Sequence, residues 1–505
     1  MNTDDSAWDS LVQWLSTFPG FICHVEQVDI PGAGKGLVAT TPCEADHPLL
    51  IIPPNALLNP LTLLAHPGNT IPSHLFPQPT PSHRLKRRRT QLDQSPKVTA
   101  PASPLNTTQL LTLHLALSRD PQHRHPSPWK EYLRTIPQDF SFHPVVWAVK
   151  DDPRMRRVPR AARRAVDIVR KRFEHDKEVL ENVLRGEEPF ESEKLTISVD
   201  DLLWAWLIVN TRSVSLPLGF SGPTELFNHS LVPILDLANH SSNPTIPRPR
   251  QIPAPLAAIH PCPAQPSTSG PSRMTNGRVG HLIPGRIAYS LVAPSEGFER
   301  GKELRFEYHG LCNTELWAEY GFAESPHPSE SPNDGSAELP PRHPPEEAKT
   351  LRRVPPDAVA AGSWTTAPHS GVSVAHLVES RWTFHAEKEQ TLRTIGCWDR
   401  WSLHPSPTYE ASHGLMMALR VKHLTEEEIG KGKLAAIGRY TVDYVSEDNE
   451  RKVKETLREM CNELVSEVEE YLADSAQGDQ SGMEMVEVLW WEQEDVARGC
   501  LEAYR

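Results

Sequence analysis

Hydrophobic positions repeat at helical spacing in three separate parts of the chain. The first is residues 6–16, whose tryptophans and leucines fall mostly on one helical face. The second contains residues 108–117 and 158–184, and the third extends over residues 379–505. The pattern predicts a short N-terminal helix, a helical insert over about residues 108–200 and a mostly helical C-terminal domain.

Short, strand-like runs lie between these helical parts. Residues 21–59 alternate apolar and polar positions and are interrupted by Gly and Pro, which predicts several short strands joined by turns. Residues 286–310 read as two strands that flank a turn. Strands are therefore expected on both sides of the helical insert.

Three stretches have a composition that disfavours packing. Residues 66–103 are rich in Pro, Ser and Thr, and residues 244–284 are rich in Pro, so both are predicted to be disordered insertions. Residues 324–378 are low in complexity and are predicted to be a linker. The chain has 49 prolines. Long unstructured insertions of this kind would explain that high proline content in a protein whose folded part has a normal composition.

Length and charge narrow the classes of function. A chain of 505 residues has material for two or three domains, and its net charge of −13 argues against bulk binding of nucleic acid. The seven cysteines form no CxxC pair, which indicates a reducing compartment and no metal site. The basic run at residues 85–89 is either a nuclear localisation signal or solvated charge.

The sequence also predicts where the protein resides. The N-terminal segment lacks the basic start and apolar core of a signal peptide. The apolar run at residues 202–209 is far shorter than the ~20 residues that span a bilayer. We therefore expect a soluble cytoplasmic or nuclear protein with no membrane partner.

A glycine-rich stretch, IPGAGKGLVATTP, occupies residues 30–42. Lys35 is followed by glycine rather than Ser or Thr, and the glycines follow GxGxG rather than GxGxxG, so neither common nucleotide-binding motif is present. Closely spaced glycines let a backbone approach a ligand, and they equally suit a tight turn. The residues alone leave both interpretations open.

Polar side chains lie at the ends of apolar or helical segments in two further places. The run LVPILDLA at residues 231–238 stops abruptly at Asn239 and His240. A buried polar group without a partner costs roughly 1–3 kcal/mol, so these two side chains need partners in a turn or in a ligand. Tyr308 and Tyr320 flank the helical stretch at residues 313–319. Two tyrosines by themselves would indicate only residues of the hydrophobic core and no functional site.

Six segments, taken in order, carry a resemblance to a known family: GAGKGLVAT, PPNALLN, SPWKEYLRTIPQDF, WAWLIVNTRSVSLP, VPILDLANHSSNP and GKELRFEYHGLCNTELWAEYGF. Together they resemble the SET-domain protein methyltransferases, in particular the branch typified by the Rubisco large-subunit methyltransferase. The resemblance implies an α+β fold, with a SET domain of short strands over residues 1–323 and a helical substrate-binding domain over residues 379–505. It also implies a knot-like crossing between the Asn239-His240 strand end and the chain around Tyr308.

The cofactor implied by the resemblance is S-adenosyl-L-methionine, bound by Ala33, Gly34, Lys35, Arg212, Asn239 and His240. The backbone of the first three residues would hold the methionine portion. Arg212 would lie near its carboxylate, where a guanidinium can form a bidentate pair. Asn239 would bind the amino-acid end through its side chain, and His240 would meet the adenine through its backbone.

The resemblance also assigns a catalytic and a substrate-binding set. Tyr308 matches the catalytic tyrosine, and Tyr320 and Phe322 match aromatic residues that line a lysine channel. Backbone carbonyls near Arg212 and Asp236 would accept hydrogen bonds from the substrate amine. One departure from the family pattern is His309, which separates Tyr308 from the following glycine.

These residues predict a monomeric protein-lysine N-methyltransferase that acts on a non-histone protein. Two alternatives stay open. One is a protein-histidine N-methyltransferase of the same branch, since pocket shape decides between the two amino acids. The other is a catalytically idle SET scaffold whose C-terminal helices bind a partner, although an idle pocket has no chemical need for the whole set of polar residues.

Overall fold

The structure is a computed structural model. It describes residues 3–77, 104–119, 127–186, 190, 197–216, 218, 228–253, 287–308, 310–324, 371–399, 401–405, 408–475 and 482–505. The chain divides into two compact units. The first contains residues 1–140 and 171–308, and the second contains residues 141–170 and 309–505. Within the described ranges, no helix is both long and apolar enough to cross a membrane.

The α-helices are α1 (Thr3–Leu15), α2 (Pro60–Ala65), α3 (Thr107–Arg119), α4 (Lys130–Leu133), α5 (Pro144–Val149), α6 (Arg160–Gly186), α7 (Val199–Arg212), α8 (Asn313–Tyr320), α9 (Ala375–Arg381), α10 (Ala386–Thr394), α11 (His413–Lys422), α12 (Glu426–Gly430), α13 (Lys433–Gly438), α14 (Glu447–Ser475) and α15 (Glu484–Ala503). The strands are β1 (Ile22–Cys23), β2 (Val25–Ile30), β3 (Gly34–Ala39), β4 (Pro48–Ile52), β5 (Ser213–Ser215), β6 (His229–Leu231), β7 (Asn239–His240), β8 (Arg250–Pro253), β9 (Ile287–Val292), β10 (Arg305–Phe306), β11 (Val372–Ser373) and β12 (Ser402–Leu403). The predicted N-terminal helix and helical insert both form.

The first unit is built from several small sheets. Its largest sheet has the antiparallel order β1-β4-β9-β8, and β9 is buried along its whole length because it lies between two neighbours. β2 and β3 form a hairpin, and β5 pairs with β6. The short strands β7 and β10 pair in parallel, with Asn239 opposite Arg305 and His240 opposite Phe306. This parallel pair lies where the sequence predicted a crossing.

The helices of the first unit surround a buried carboxylate. Asp176 of α6 accepts a hydrogen bond from Gln109 Nε2 at 2.8 Å and from Trp206 Nε1 at 2.9 Å. Phe173 packs edge-to-face on Trp206, with ring centroids 5.7 Å apart. Both oxygens of Asp176 therefore have partners, which lets a polar side chain lie among apolar residues.

The second unit is mainly helical, as the spacing at residues 379–505 predicted. Its core includes buried residues from α9, α11, α14 and α15. Tyr471 and Trp490 stack with ring centroids 4.9 Å apart, which joins the two longest C-terminal helices. The second unit also includes residues 141–170 and the chain from residue 309 onward. The predicted bounds of the SET domain, the linker and the C-terminal domain stay a prediction.

The predicted disordered insertion at residues 66–103 is folded over its first part. Residues 73–75 form a 3₁₀ helix, and Leu75 and Phe76 are buried. Leu105 N–H donates to the Leu75 carbonyl at 2.9 Å. Burial of these apolar side chains stabilises the segment, although the stretch is rich in Pro. The remainder of the insertion, residues 78–103, lies outside the described residues.

The described parts of the other two predicted irregular stretches also contain regular secondary structure. Residues 244–253 include β8, which joins a sheet edge through backbone hydrogen bonds that composition does not reveal. Residues 371–378 already contain β11 and the first turns of α9. The remaining parts, residues 254–284 and 325–370, lie outside the described residues.

Replacing the buried carboxylate should destabilise the first unit. Asp176→Ala leaves two buried N–H donors without a partner, and we expect a loss of about 2 to 4 kcal/mol in the free energy of unfolding. Urea unfolding measures this. Glu178→Ala, at an exposed position on the same helix, is the matched control and should stay close to wild type. Equal stability of the two variants would contradict the structural role of Asp176.

Candidate active site

The glycine-rich stretch forms the turn and second strand of the β2–β3 hairpin. Ala33 N–H donates to the Ile30 carbonyl at 3.0 Å, and Gly34 has a φ of +76°, a conformation that favours glycine. Lys35 Nζ lies 2.8 Å from the carboxylate of Asp29 across the hairpin. This stretch therefore forms a tight turn, and residues 31–34 at the hairpin end are exposed.

A close approach of backbone occurs two residues further along. A Cβ at Gly36 would lie 2.6 Å from Ile30 Cγ1, 2.9 Å from Asn239 Nδ2 and 3.2 Å from Glu303 Oε1. Asn239 Nδ2 itself donates to Glu303 Oε1 at 3.0 Å. Gly36 therefore brings the hairpin against the polar end of β7, where only hydrogen fits.

The strand ends of β7 and β10 fix Tyr308. Its backbone N–H donates to His240 Nδ1 at 3.1 Å, and its hydroxyl donates to the Ala238 carbonyl at 2.7 Å. The Tyr308 ring also contacts the rings of His240 and Phe306, at centroid distances of 5.2 and 5.1 Å. Backbone and side chain of Tyr308 are thus both tied to the segment that contains Asn239. The next residue, His309, lies outside the described residues.

A buried network lies just before β7. Tyr132 donates its hydroxyl to Asp236 Oδ2 at 2.9 Å, and Arg212 Nη1 donates to the Asp236 carbonyl at 2.8 Å. Arg212 Nη1 also lies 3.4 Å from Asp236 Oδ2. The carbonyl of Asp236 itself therefore accepts a hydrogen bond from Arg212. The predicted role of Arg212 beside the cofactor carboxylate stays a prediction.

Burial controls the protonation of the Asp236 network. Burial raises the pKa of Asp236, whereas the neighbouring Arg212 and Tyr132 hydroxyl act in the opposite direction. Burial and the adjacent Asp236 carboxylate hold the pKa of Tyr132 well above its usual value, so its hydroxyl keeps its proton. Asp236 Oδ1 and Arg212 Nε are both buried and lack a hydrogen-bond partner among the described protein atoms. Such atoms in a native structure indicate a missing partner.

The aromatic residues predicted to line a lysine channel lie in the second unit. Tyr320 ends α8, and Phe322 follows it, with ring centroids 6.0 Å apart. Gly321 between them has a φ of +85°, and a Cβ there would come within 3.1 Å of His143 Cδ2. His143 Nε2 is 3.2 Å from the Glu319 carbonyl, so this buried imidazole supports the end of α8. The role of Tyr320 and Phe322 as walls of a lysine channel stays a prediction.

Within the first unit, the structure brings together five residues of the predicted site in two groups. Asn239, His240 and Tyr308 share the β7–β10 strand end, and Arg212 bonds Asp236 one turn earlier in the chain. The glycine hairpin joins the first group through Gly36. In the described part of the chain, no group of three or more His, Cys, Asp or Glu residues could hold a metal ion.

Three residues of this site were missed by sequence reasoning. Gly36 was part of the GxGxG spacing, but only its contact with Asn239 shows which glycine the site requires. Glu303 is a charged residue in a strand-like segment, and no local pattern marks its contact with Asn239. Tyr132 lies more than 100 residues from its partner Asp236, so no local pattern could pair them.

The site can hold a polar, zwitterionic ligand. The amide of Asn239 and the carboxylate of Glu303 lie together at the strand end. The guanidinium of Arg212 has a buried N–H without a partner, and a carboxylate is the strongest acceptor for such a group. A methionine-like moiety carries both an ammonium and a carboxylate, so these residues fit the cofactor that the sequence implied.

Comparison with solved structures finds the same fold elsewhere. The SET domain of LSMT bound to lysine and AdoHcy matches 100% of this chain and 92% of its own, with a TM-score of 0.60 and 17% identity. Rubisco LSMT bound to sinefungin and monomethyllysine, and Rubisco LSMT bound to AdoMet, each match 99% of this chain and 91% of their own, with TM-scores of 0.57 and 17% identity. No protein-family model matches the sequence, and no curated protein matches it.

At this identity the likeness establishes the fold. The chain has the α+β fold of these SET-domain structures, with short strands in small sheets and a helical C-terminal region. The predicted fold class is therefore confirmed, and so is the predicted resemblance at the level of architecture. The roles of individual residues rest on the geometry described above.

The imidazole under α8 makes stability depend on pH. Complete burial lowers the pKa of His143 from 6.5 to about 4, although the Glu319 carbonyl opposes this effect. The unfolded chain therefore takes up a proton below pH 6.5 that the folded protein does not, and stability falls as the pH drops from about 6.5 towards 4. We expect His143 to contribute a loss of about 2 kcal/mol between pH 7.5 and pH 5.

Urea unfolding of His143→Asn at the two pH values tests this expectation. Asparagine can still cap α5, whose Val145 N–H donates to His143 Nδ1, but it does not titrate. The variant should lose less stability than wild type on acidification. His175→Asn, at an exposed position of α6, is the control. Identical pH dependence in wild type and His143→Asn would contradict the assignment.

Proposed function

We propose that this chain is an S-adenosylmethionine-dependent protein-lysine N-methyltransferase. The observation that carries the proposal is the fixed Tyr308 hydroxyl, which donates to the Ala238 carbonyl at 2.7 Å beside the Asn239-His240 strand end. This hydrogen bond fixes the hydroxyl at a polar strand end, where it can orient a reactant. The solved structures that share the fold, bound to lysine, monomethyllysine or AdoMet, support the same reaction class.

The cofactor would be held by the hairpin end and by β7. We assign the backbone of Ala33, Gly34 and Lys35 and the side chain of Asn239 to its amino-acid portion, and the backbone of His240 to its adenine. Gly36 keeps the hairpin close enough for this, since a Cβ would meet the Asn239 amide. When bound, the cofactor supplies a methyl group on a positively charged sulfur.

Arg212 completes the cofactor end of the site. Its Nη1 is committed to Asp236, but its buried Nε has no partner among the described protein atoms. A buried N–H of a guanidinium gains most from a charged acceptor. We therefore assign the remaining N–H capacity of Arg212 to the carboxylate of the cofactor.

The residues around Tyr308 would position the amine. A phenolic oxygen that donates its proton to Ala238 can still accept a hydrogen bond, so it can orient a substrate N–H. A lysine side chain has an ordinary pKa of ~10.4 and must become neutral before it can attack. Burial and a nearby positive charge both lower the pKa of an amine, which supports a site that combines Tyr308 with a cationic cofactor. Placement of the two reactants supplies most of the rate gain.

The proposal also includes the protein substrate and the residues that bind it. We propose a lysine of a non-histone protein as the target, with Tyr320 and Phe322 as walls of the lysine channel. Aromatic ring faces attract an ammonium group before it loses its proton. We further propose that the protein acts as a monomer in the cytoplasm or the nucleus.

Methyl transfer to cell proteins tests the proposal. Purified protein is incubated with isotopically labelled S-adenosylmethionine and a lysate of its own organism, and labelled residues are identified by mass spectrometry. Tyr308→Phe should reduce the rate on the order of 100-fold, because it removes the orienting oxygen. Its affinity for the cofactor should be nearly unchanged. Tyr440→Phe, an identical change at a position that is 68% exposed, should keep the wild-type rate.

Each outcome of this experiment separates the candidate functions. Label on lysine, lost in Tyr308→Phe, supports the proposal. Equal rates in Tyr308→Phe and wild type would remove Tyr308 from the reaction. Label on histidine would favour the histidine enzyme. Cofactor binding and labelling both absent would favour the idle scaffold.

A further inference from the structure

A cavity lies in the first unit and is lined in part by residues of α4 and the residue that follows it. Its volume is about 260 Å³. Three cationic side chains line it, together with an aromatic and an apolar wall: Arg119, Lys130, Arg134, Trp204 and Leu133. Of the described residues that line it, none is acidic.

Among the described residues, the ion pairs at the cavity leave one cation in excess. Arg119 Nε lies 3.4 Å from Asp201 Oδ1. Lys130 and Arg134 share one carboxylate, that of Glu131, at 3.8 and 3.2 Å. In the part of the chain that the structure describes, these three cations therefore pair with two carboxylates. A ligand with one negative charge would balance the set, and a dianion would exceed it.

The walls select a ligand with an apolar stem. Trp204 Nε1 donates to the Pro137 carbonyl at 2.9 Å, which fixes the ring, and the Arg119 guanidinium lies 4.3 Å from the ring centroid. A water molecule occupies roughly 30 Å³, so the cavity has room for several heavy atoms beyond a bare ion. The combination of a fixed indole, the Leu133 side chain and a cationic rim suits a carboxylate on a short aliphatic chain.

We propose that this cavity binds the carboxylate side chain of an acidic residue, glutamate in particular, in a protein ligand. A glutamate side chain within a polypeptide presents a single carboxylate, whereas a free amino acid also presents an ammonium, which the excess positive charge would repel. A small dicarboxylate would bring two negative charges to a site with one positive charge in excess. Charge and shape therefore favour a side chain over either small molecule.

The cavity is joined to the candidate active site by α4. Lys130 and Arg134 flank Tyr132 in sequence, and Tyr132 donates to Asp236 Oδ2 at 2.9 Å. A ligand that contacts Lys130 and Arg134 would hold the turn that presents the Tyr132 hydroxyl. The binding itself needs no cofactor, so it can be tested separately from methyl transfer.

The test is a titration with capped amino acids, followed by ligand-observed NMR. The probe is N-acetyl-glutamate N-methylamide, and its glutamine counterpart is the uncharged comparison. We expect a dissociation constant on the order of 1 mM for the glutamate probe and at least tenfold weaker binding for the glutamine probe, because charge-assisted contacts are lost. Glutarate and inorganic phosphate are titrated as alternative anions.

Two double variants provide the matched comparison. Lys130→Gln/Arg134→Gln removes two cations that share Glu131, and both side chains are more than half exposed, so folding should be preserved. Lys177→Gln/Arg185→Gln removes two cations that share Glu181 on α6, away from the cavity lining. The first variant should weaken binding of the glutamate probe at least tenfold, and the second should leave it unchanged. The single variant Lys130→Gln should lie between wild type and the first double variant.

Three results would overturn the proposal. They are equal binding of the glutamate and glutamine probes, equal loss in the two double variants, and tighter binding of glutarate or phosphate than of the glutamate probe. The last result would identify a site for a small anion instead of a protein side chain. None of these results bears on the methyl-transfer proposal, since no cofactor is present.

Discussion

The carboxylate of Asp236 organises the centre of the first unit. It lies almost fully buried, and Tyr132 and Arg212 both donate to this residue. Removing one partner of a buried charged pair costs on the order of 3–5 kcal/mol, so the three residues constrain one another strongly. Ile234, two residues earlier, has a φ of 68°, which is strained for a β-branched residue and persists only where packing enforces it. The network therefore determines where β7 begins.

The positions of Asn239 and His240, at the end of the buried run 231–238, follow from the Asp236 network. Once Asp236 is anchored, Ala238 presents its carbonyl to Tyr308, and Asn239 and His240 pair with β10. Gly36 then allows the hairpin to approach Asn239. A hairpin end, a strand end and a tyrosine that are distant in sequence meet in one place. Two buried polar atoms, Asp236 Oδ1 and Arg212 Nε, lack partners among the described protein atoms, as expected for a site completed by a ligand.

Sequence reasoning predicted the helices and the polar strand end, because both leave a local signal. Spacing alone indicated α6, and an apolar run that ends on Asn239 marked the site. Tyr132 and Glu303 were missed because their roles depend on partners far away in the chain. Residues 73–75 were assigned to disorder because composition cannot show that Leu75 is buried. Local pattern thus predicts elements, whereas long-range hydrogen bonds create the site.

The most direct test of this account is a calorimetric titration of S-adenosylmethionine into wild type, Asn239→Ala and Asn243→Ala. Asn239 contacts Glu303 and faces the hairpin, whereas Asn243 is exposed just beyond the same strand. The account predicts that wild type and Asn243→Ala bind alike and that Asn239→Ala binds on the order of tenfold more weakly, the loss expected for about one good hydrogen bond. An unchanged dissociation constant for Asn239→Ala would contradict the site described here.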